Sequence, residues 1–219
     1  MTATDLNDKT KFRILHEFSF DETKEFLLNN APRRSRWMIF FQIWTITTLA
    51  VSVFFIIFKS EGIIDSLQQI LIGLVLCFSL VIILHEGLHG LAFLPLGKRN
   101  ISFGWIPKKF MFYAMAHRES LSTRQYAYIA MLPFAVINSA MIICAFFFPE
   151  FVTVFLTILT VHSLFCSGDF MFTSIFMSMG EVYTYDDKKL RRTYIFVPAK
   201  DEITTSDDNE QTEIQDDSI

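Results

Sequence analysis

No two cysteines in this 219-residue chain are spaced Cys-X-X-Cys, and only three occur, Cys77, Cys144 and Cys166. All three fall in apolar runs, which excludes a disulfide framework and makes them small buried side chains. No internal repeat is present, so an array or solenoid is excluded. Nothing near the start reads as a secretory signal, because the first 36 residues are polar and mixed in charge. Carboxylates are nearly missing from the apolar runs, which argues against a metal-transport path, since that would need several in series. The stretch Asp201 to Ile219 has no Lys, Arg or aromatic residue but holds eight acidic ones. It is expected to be a disordered acidic tail, unable to bury enough surface to offset its ordering entropy. With a net charge of −4, the chain is expected to have no nucleic-acid partner.

What the chain does have is hydrocarbon: 52% of residues are hydrophobic and 25 are Phe. These residues are bunched into runs rather than spread at amphipathic spacing. Four runs suit a bilayer that needs about 20 apolar residues per helix: Trp37–Phe58, Gln68–Leu94, Gln125–Phe148 and Phe151–Met179. The expected fold class is therefore mostly α, a polytopic membrane protein with four transmembrane helices plus short cytoplasmic β-strands. Residues 1–36 form an N-terminal segment, 37–200 the four-span domain and 201–219 the tail. All of the 19 Lys and Arg except Lys59 fall on one side of this arrangement. The positive-inside tendency makes that side the cytoplasm, with both termini there and the lipid bilayer as the immediate partner. Asp21 is expected to cap a short helix ending near Asn30, with Phe26, Leu27 and Leu28 on its apolar side. Strand pairs are expected at 101–116, around a Pro107-Lys108-Lys109 break, and at 181–197, around Asp186 and Asp187.

The second span contains "VIILHEGLHGLAFL", Val81 to Leu94. An acidic side chain at the bilayer centre costs about 2.5 kcal/mol or more, so polar groups there are normally functional. His85 and His89 are four residues apart and share a helix face one turn apart. HExxH on a helix is a zinc-peptidase pattern: two imidazoles hold the metal, and Glu86 acts as general base toward water. Asp169 is the only acidic residue within the third and fourth spans. It lies 18 residues after Phe151, as His85 lies 17 after Gln68. Both sit roughly 25 Å along helices running the same way, so Asp169 is the candidate third ligand. His162 is two turns before Asp169 and Asn138 is in the third span. Each is a candidate for hydrogen-bonding substrate or an oxyanion, or else for packing alone. Pro133 is expected to kink its span, and Gly87, Gly90 and Gly168 to let helices approach one another closely. His16 and His117 read as ordinary surface residues. Haem ligation by both motif histidines is excluded, because residues one turn apart cannot reach opposite faces of a macrocycle.

HExxH on a membrane helix, a Pro- and Asn-bearing span and a later Asp resemble the site-2 protease class of intramembrane metalloproteases. "LHEGLHG", "ISFGW", "LPF" and "CSGDF" resemble more closely the small bacterial membrane proteins described as putative zincin peptidases. The resemblance covers roughly residues 35–196. It implies Zn²⁺ held by His85, His89 and Asp169, water activated with the help of Glu86, and a membrane protein or peptide as substrate. It also implies that the strands offer an edge to an unwound substrate segment. The chain departs from the site-2 pattern at Gly168-Asp169-Phe170, where those proteases usually carry Leu-Asp-Gly, and it has no room for an appended regulatory domain. The implied activity is that of a zinc-dependent intramembrane endopeptidase. The alternative is a non-proteolytic scaffold or partner-binding protein that keeps the metal site.

Overall fold

In lipid every backbone polar group must be satisfied internally, and long apolar runs meet that demand as helices. The structure, a computed structural model, describes residues 3–32, 34–58, 62–106 and 111–199. The expected tail at 201–219, the Pro107–Lys109 break and Lys59 lie outside the described residues. A short helix α1 (Ala3–Leu6), strand β1 (Phe12–Ser19) and helix α2 (Thr23–Asn30) precede the long helix α3 (Arg36–Phe58). Next come α4 (Ile63–Leu76), a π-helical turn (Cys77–Val81) and α5 (Ile82–Phe93), which form one 34-residue helical run through Leu96. Strands β2 (Ile101–Ile106), β3 (Met111–Ala116) and β4 (Leu121–Ser122) lead into α6 (Thr123–Phe147). Helices α7 (Val152–Phe165) and α8 (Ser167–Met179) and strands β5 (Tyr183–Asp187) and β6 (Arg192–Pro198) follow within the described residues. The runs 36–58, 63–96 and 123–147 are each long and apolar enough to cross a membrane. Residues 149–165 and 167–179, bent by 41° at Cys166, make a fourth if taken as one broken span.

The helix ends show why these elements start where they do. Ser122 caps α6 in a reciprocal box: its hydroxyl accepts the Gln125 N–H, and the Gln125 side chain accepts the Ser122 N–H. The Thr123 hydroxyl donates to the Gly180 carbonyl at 2.8 Å and accepts the Val182 N–H at 3.0 Å, tying the start of α6 to the start of β5. Asp21 does not cap α2. Glu22 holds the cap position and its carboxylate accepts the Ser19 N–H at 2.7 Å. Phe26 is buried but Leu28 is 66% exposed, because residues two apart on a helix point about 200° apart. Asp186 and Asp187 are strand residues, and the turn is at 188–191. The Asp187 carboxylate organises that turn by accepting the N–H groups of Lys189 and Leu190.

The β-structure is a four-stranded antiparallel sheet in the order β1-β6-β5-β4 and a separate β2-β3 hairpin. The pairing of β1 with β6, interrupted by a bulge between Ile14 and His16, had no counterpart in the sequence expectation. One face of the sheet covers the end of the helices through Phe18, Phe26, Ile175, Phe176, Val182 and Ile195. Phe170 is fully buried among Phe41, Phe134 and Trp37, where α3, α6 and α8 meet. Among lipid-embedded helices such a ring acts through close packing with its neighbours rather than through removal from water. Pro133 does not break α6, which runs on past it with the ring buried. The close helix approach is at Gly73, where a Cβ would stand 2.8 Å from the Thr157 Cβ. Of the three expected glycines, Gly87 and Gly168 face open space, and Gly90 lies under the Phe103 ring of the hairpin.

Candidate metal centre

Two interruptions of helical geometry bring the polar side chains together. The π turn Cys77–Val81 changes the phase of the helix before α5, and α5 then presents His85 and His89, 7% and 8% exposed, to the interior. The break at Cys166 starts a new helix, which places Asp169 in the first turn of α8. His85 Nε2 and His89 Nε2 are 3.0 Å apart, and the two Asp169 oxygens lie 3.4 Å and 3.5 Å from them. Zinc–ligand distances of about 2.0–2.1 Å at tetrahedral angles put donors about 3.3 Å apart. The three side chains therefore fit one small dication with a fourth position left over.

The hydrogen-bond network fixes which nitrogens carry protons. The Trp44 indole N–H can only donate, and it donates to the Ser163 hydroxyl at 3.0 Å. That hydroxyl gives its proton to the Leu159 carbonyl at 2.7 Å, so it also accepts from the Asn138 amide nitrogen at 3.2 Å. Asn138 Oδ1 then faces His162 Nδ1 at 2.8 Å, and Nδ1 must hold the proton. His162 Nε2 accordingly accepts from His85 Nδ1 at 3.1 Å. His89 Nδ1 donates to the Ile129 carbonyl at 3.0 Å. In their neutral form both motif histidines are left with Nε2 lone pairs pointing at each other and at a carboxylate. Two lone pairs at 3.0 Å repel, and a cation between them relieves that repulsion. Second-partner hydrogen bonds of this kind are what orient imidazole ligands. His85, His162 and Cys166 also converge, but the His85 and His162 nitrogens there are occupied by their mutual hydrogen bond.

Glu86 follows His85 and borders a cavity of about 290 Å³, lined also by His85, His89, Asp169, Gly168 and β3 from Phe112 to Ala116. Its Oε2 is buried without a hydrogen-bond partner. An orphaned carboxylate oxygen beside three converging donors suits a base waiting for a water proton. His162 and Asn138 do not line this cavity. They are 0% and 2% exposed and stand behind His85. Trp44, Ser163 and the Ile129 carbonyl were missed in the sequence. A Trp and a Ser inside apolar runs were the available signal, but a backbone carbonyl leaves none. His117 is not a bare surface residue, since its Nδ1 accepts the Lys188 N–H at 3.1 Å. His16 stands edge-on to Phe26.

Residues 78–183 match the family model described as "Putative zincin peptidase". That stretch, just under half of the chain, is similar to this family. The zincin match contains His85, Glu86, His89, Asn138, His162 and Asp169, and it stops short of α3, which supplies Trp44. No curated protein and no solved structure matches the chain.

Proposed function

We propose that this protein is a zinc-dependent endopeptidase that cleaves peptide bonds within or beside the membrane. The observation that carries the reading is the set of bare nitrogens and carboxylate oxygens of His85, His89 and Asp169, 3.0–3.5 Å apart, beside the unpartnered Glu86. Zinc, when bound, supplies Lewis-acid polarisation of a carbonyl and lowers the pKa of water toward ~7. Glu86 takes the proton of the attacking water at its free oxygen and returns it to the leaving amine. His162 and Asn138 hold the His85 ring and its tautomer. β3 borders the cavity over five successive residues, and among the described residues only its β2 edge is paired. An unwound substrate segment can add along the other edge, with main-chain hydrogen bonds giving affinity and alternate side chains specificity.

The bent pair α7–α8 serves as the fourth span, and both termini lie on the cytoplasmic side of the cell membrane. The one-sided distribution of Lys and Arg supports this orientation. The substrate is accordingly a membrane protein or membrane-bound peptide. The test is Glu86→Gln in the full chain, with membrane proteins of expressing cells compared by proteomics. Cleavage products seen with wild type should vanish while zinc stays bound. Undiminished products in the variant would overturn the assignment.

A further inference from the structure

A second cavity, of about 300 Å³, adjoins the metal centre on the other side of Glu86. Ile82, Ile83 and Gly87 of α5 form one wall and Phe103 and Phe112 of the hairpin the other. Glu86 and Phe112 line both cavities, so the two lie side by side at the proposed base. Every other lining residue is apolar. Ile83 is 68% exposed and its helix neighbour Leu84 50% exposed, on a helix read here as crossing the bilayer, so the slot faces lipid rather than water. On the α5 wall Gly87 has nothing within 4 Å of where a Cβ would be. Helix packing therefore does not require a glycine there, and any side chain at this position would project into the slot.

We propose that this slot is the lateral approach and specificity pocket for an apolar side chain next to the scissile bond of a membrane-embedded substrate, with Gly87 setting its depth. The proposal rests on the metallopeptidase reading. That reading gives Glu86 its role and makes a second cavity beside it meaningful. A polar or charged side chain would lose its hydration in the slot without finding a partner, which selects for aliphatic and aromatic residues. The stacked Trp105 and Phe112 rings stiffen the hairpin wall, and the Phe103 ring seated on Gly90 fixes its distance from α5.

The test uses the zinc-loaded full chain in lipid nanodiscs and two zinc-chelating probes, acetohydroxamate and hexanohydroxamate, which differ only in their alkyl tails. Burying tail methylenes in the slot strengthens binding by up to about fourfold each. In Gly87→Leu the ratio of hexano- to acetohydroxamate affinity should fall by roughly tenfold. Partition of the tail into the bilayer is common to both proteins and cancels in the comparison. Zinc stoichiometry reports whether each variant keeps its centre. If the leucine variant loses zinc, Gly87→Ala makes the same comparison with an expected fall of about threefold. An unchanged ratio in a zinc-replete variant would overturn the slot and leave the metal reading standing. Failure of hexanohydroxamate alone to bind wild type would overturn the slot only, and failure of both probes would overturn both readings.

Discussion

Replacing His162 tests whether the buried network behind His85 sets the affinity of the centre. In His162→Ala the His85 Nδ1–H and Asn138 Oδ1, now bonded at 3.1 Å and 2.8 Å, both lose their partner in a site closed to solvent. An unmet buried donor or acceptor costs about 1–3 kcal/mol. Part of that penalty is relieved when the His85 ring rotates toward a new partner, which turns Nε2 away from His89 and Asp169. Loss of an outer partner of a ligating imidazole typically lowers metal affinity 10–100-fold. Zinc affinity, measured by competition with a chromogenic chelator on protein in nanodiscs, should fall within that range. His162→Gln offers a carbonyl to His85 and an amide N–H to Asn138 and should recover most of the loss. His162→Leu fills the volume without the hydrogen bonds and should resemble alanine. Wild-type affinity in His162→Ala, or a glutamine variant no better than leucine, would refute the argument.

Other consequences follow from particular contacts. Gly73→Val should destabilise the bundle by about 1–3 kcal/mol, seen as a lower Tm in detergent, because its side chain collides with Thr157 and the Val154 carbonyl of α7. Asp187 gives a pH signature outside the bilayer. Burial pushes its carboxyl up, but the Leu190 and Lys189 amides and the Arg118 guanidinium outweigh that and hold it below its usual 3.8. A carboxyl depressed in the folded state stabilises above its unfolded pKa and loses that stabilisation as pH falls through the folded value. The Tm of wild type should therefore drop more steeply below about pH 4 than that of Asp187→Asn. For orientation, Glu150→Cys should react with an impermeant maleimide on intact cells and Lys188→Cys only after permeabilisation. The reverse pattern would invert the topology.

The extent of the helices and the identity of the polar cluster were legible because both rest on local signals. Apolar run length reports the bilayer, and a four-residue spacing reports one helix face. The expected positions of His85 and Asp169, at matching distances along their apolar runs, were enough to pair them. The interruptions were not legible. The π turn at Cys77–Val81 has no Pro or Gly within it to announce it, and the Ser167-Gly168 pair beside the bend at Cys166 is a local signal that the continuous apolar run concealed. The roles of His162 and Asn138 needed the third dimension, because both the cavity side and the far side of His85 are compatible with their spacing. Gly87 and Gly168 misled for the same reason: a glycine next to a ligand suits a close contact and an open cleft equally well. β1 was missed because its partner β6 lies more than 170 residues away by the Phe12–Pro198 register, and no local pattern reports such a pairing.

The most direct test of the central claim is the zinc content of purified protein, wild type beside Glu86→Gln and Asp169→Ala. The His85, His89 and Asp169 geometry predicts about one zinc per chain in wild type and in Glu86→Gln, and loss of most of it in Asp169→Ala. Equal zinc in all three would contradict it.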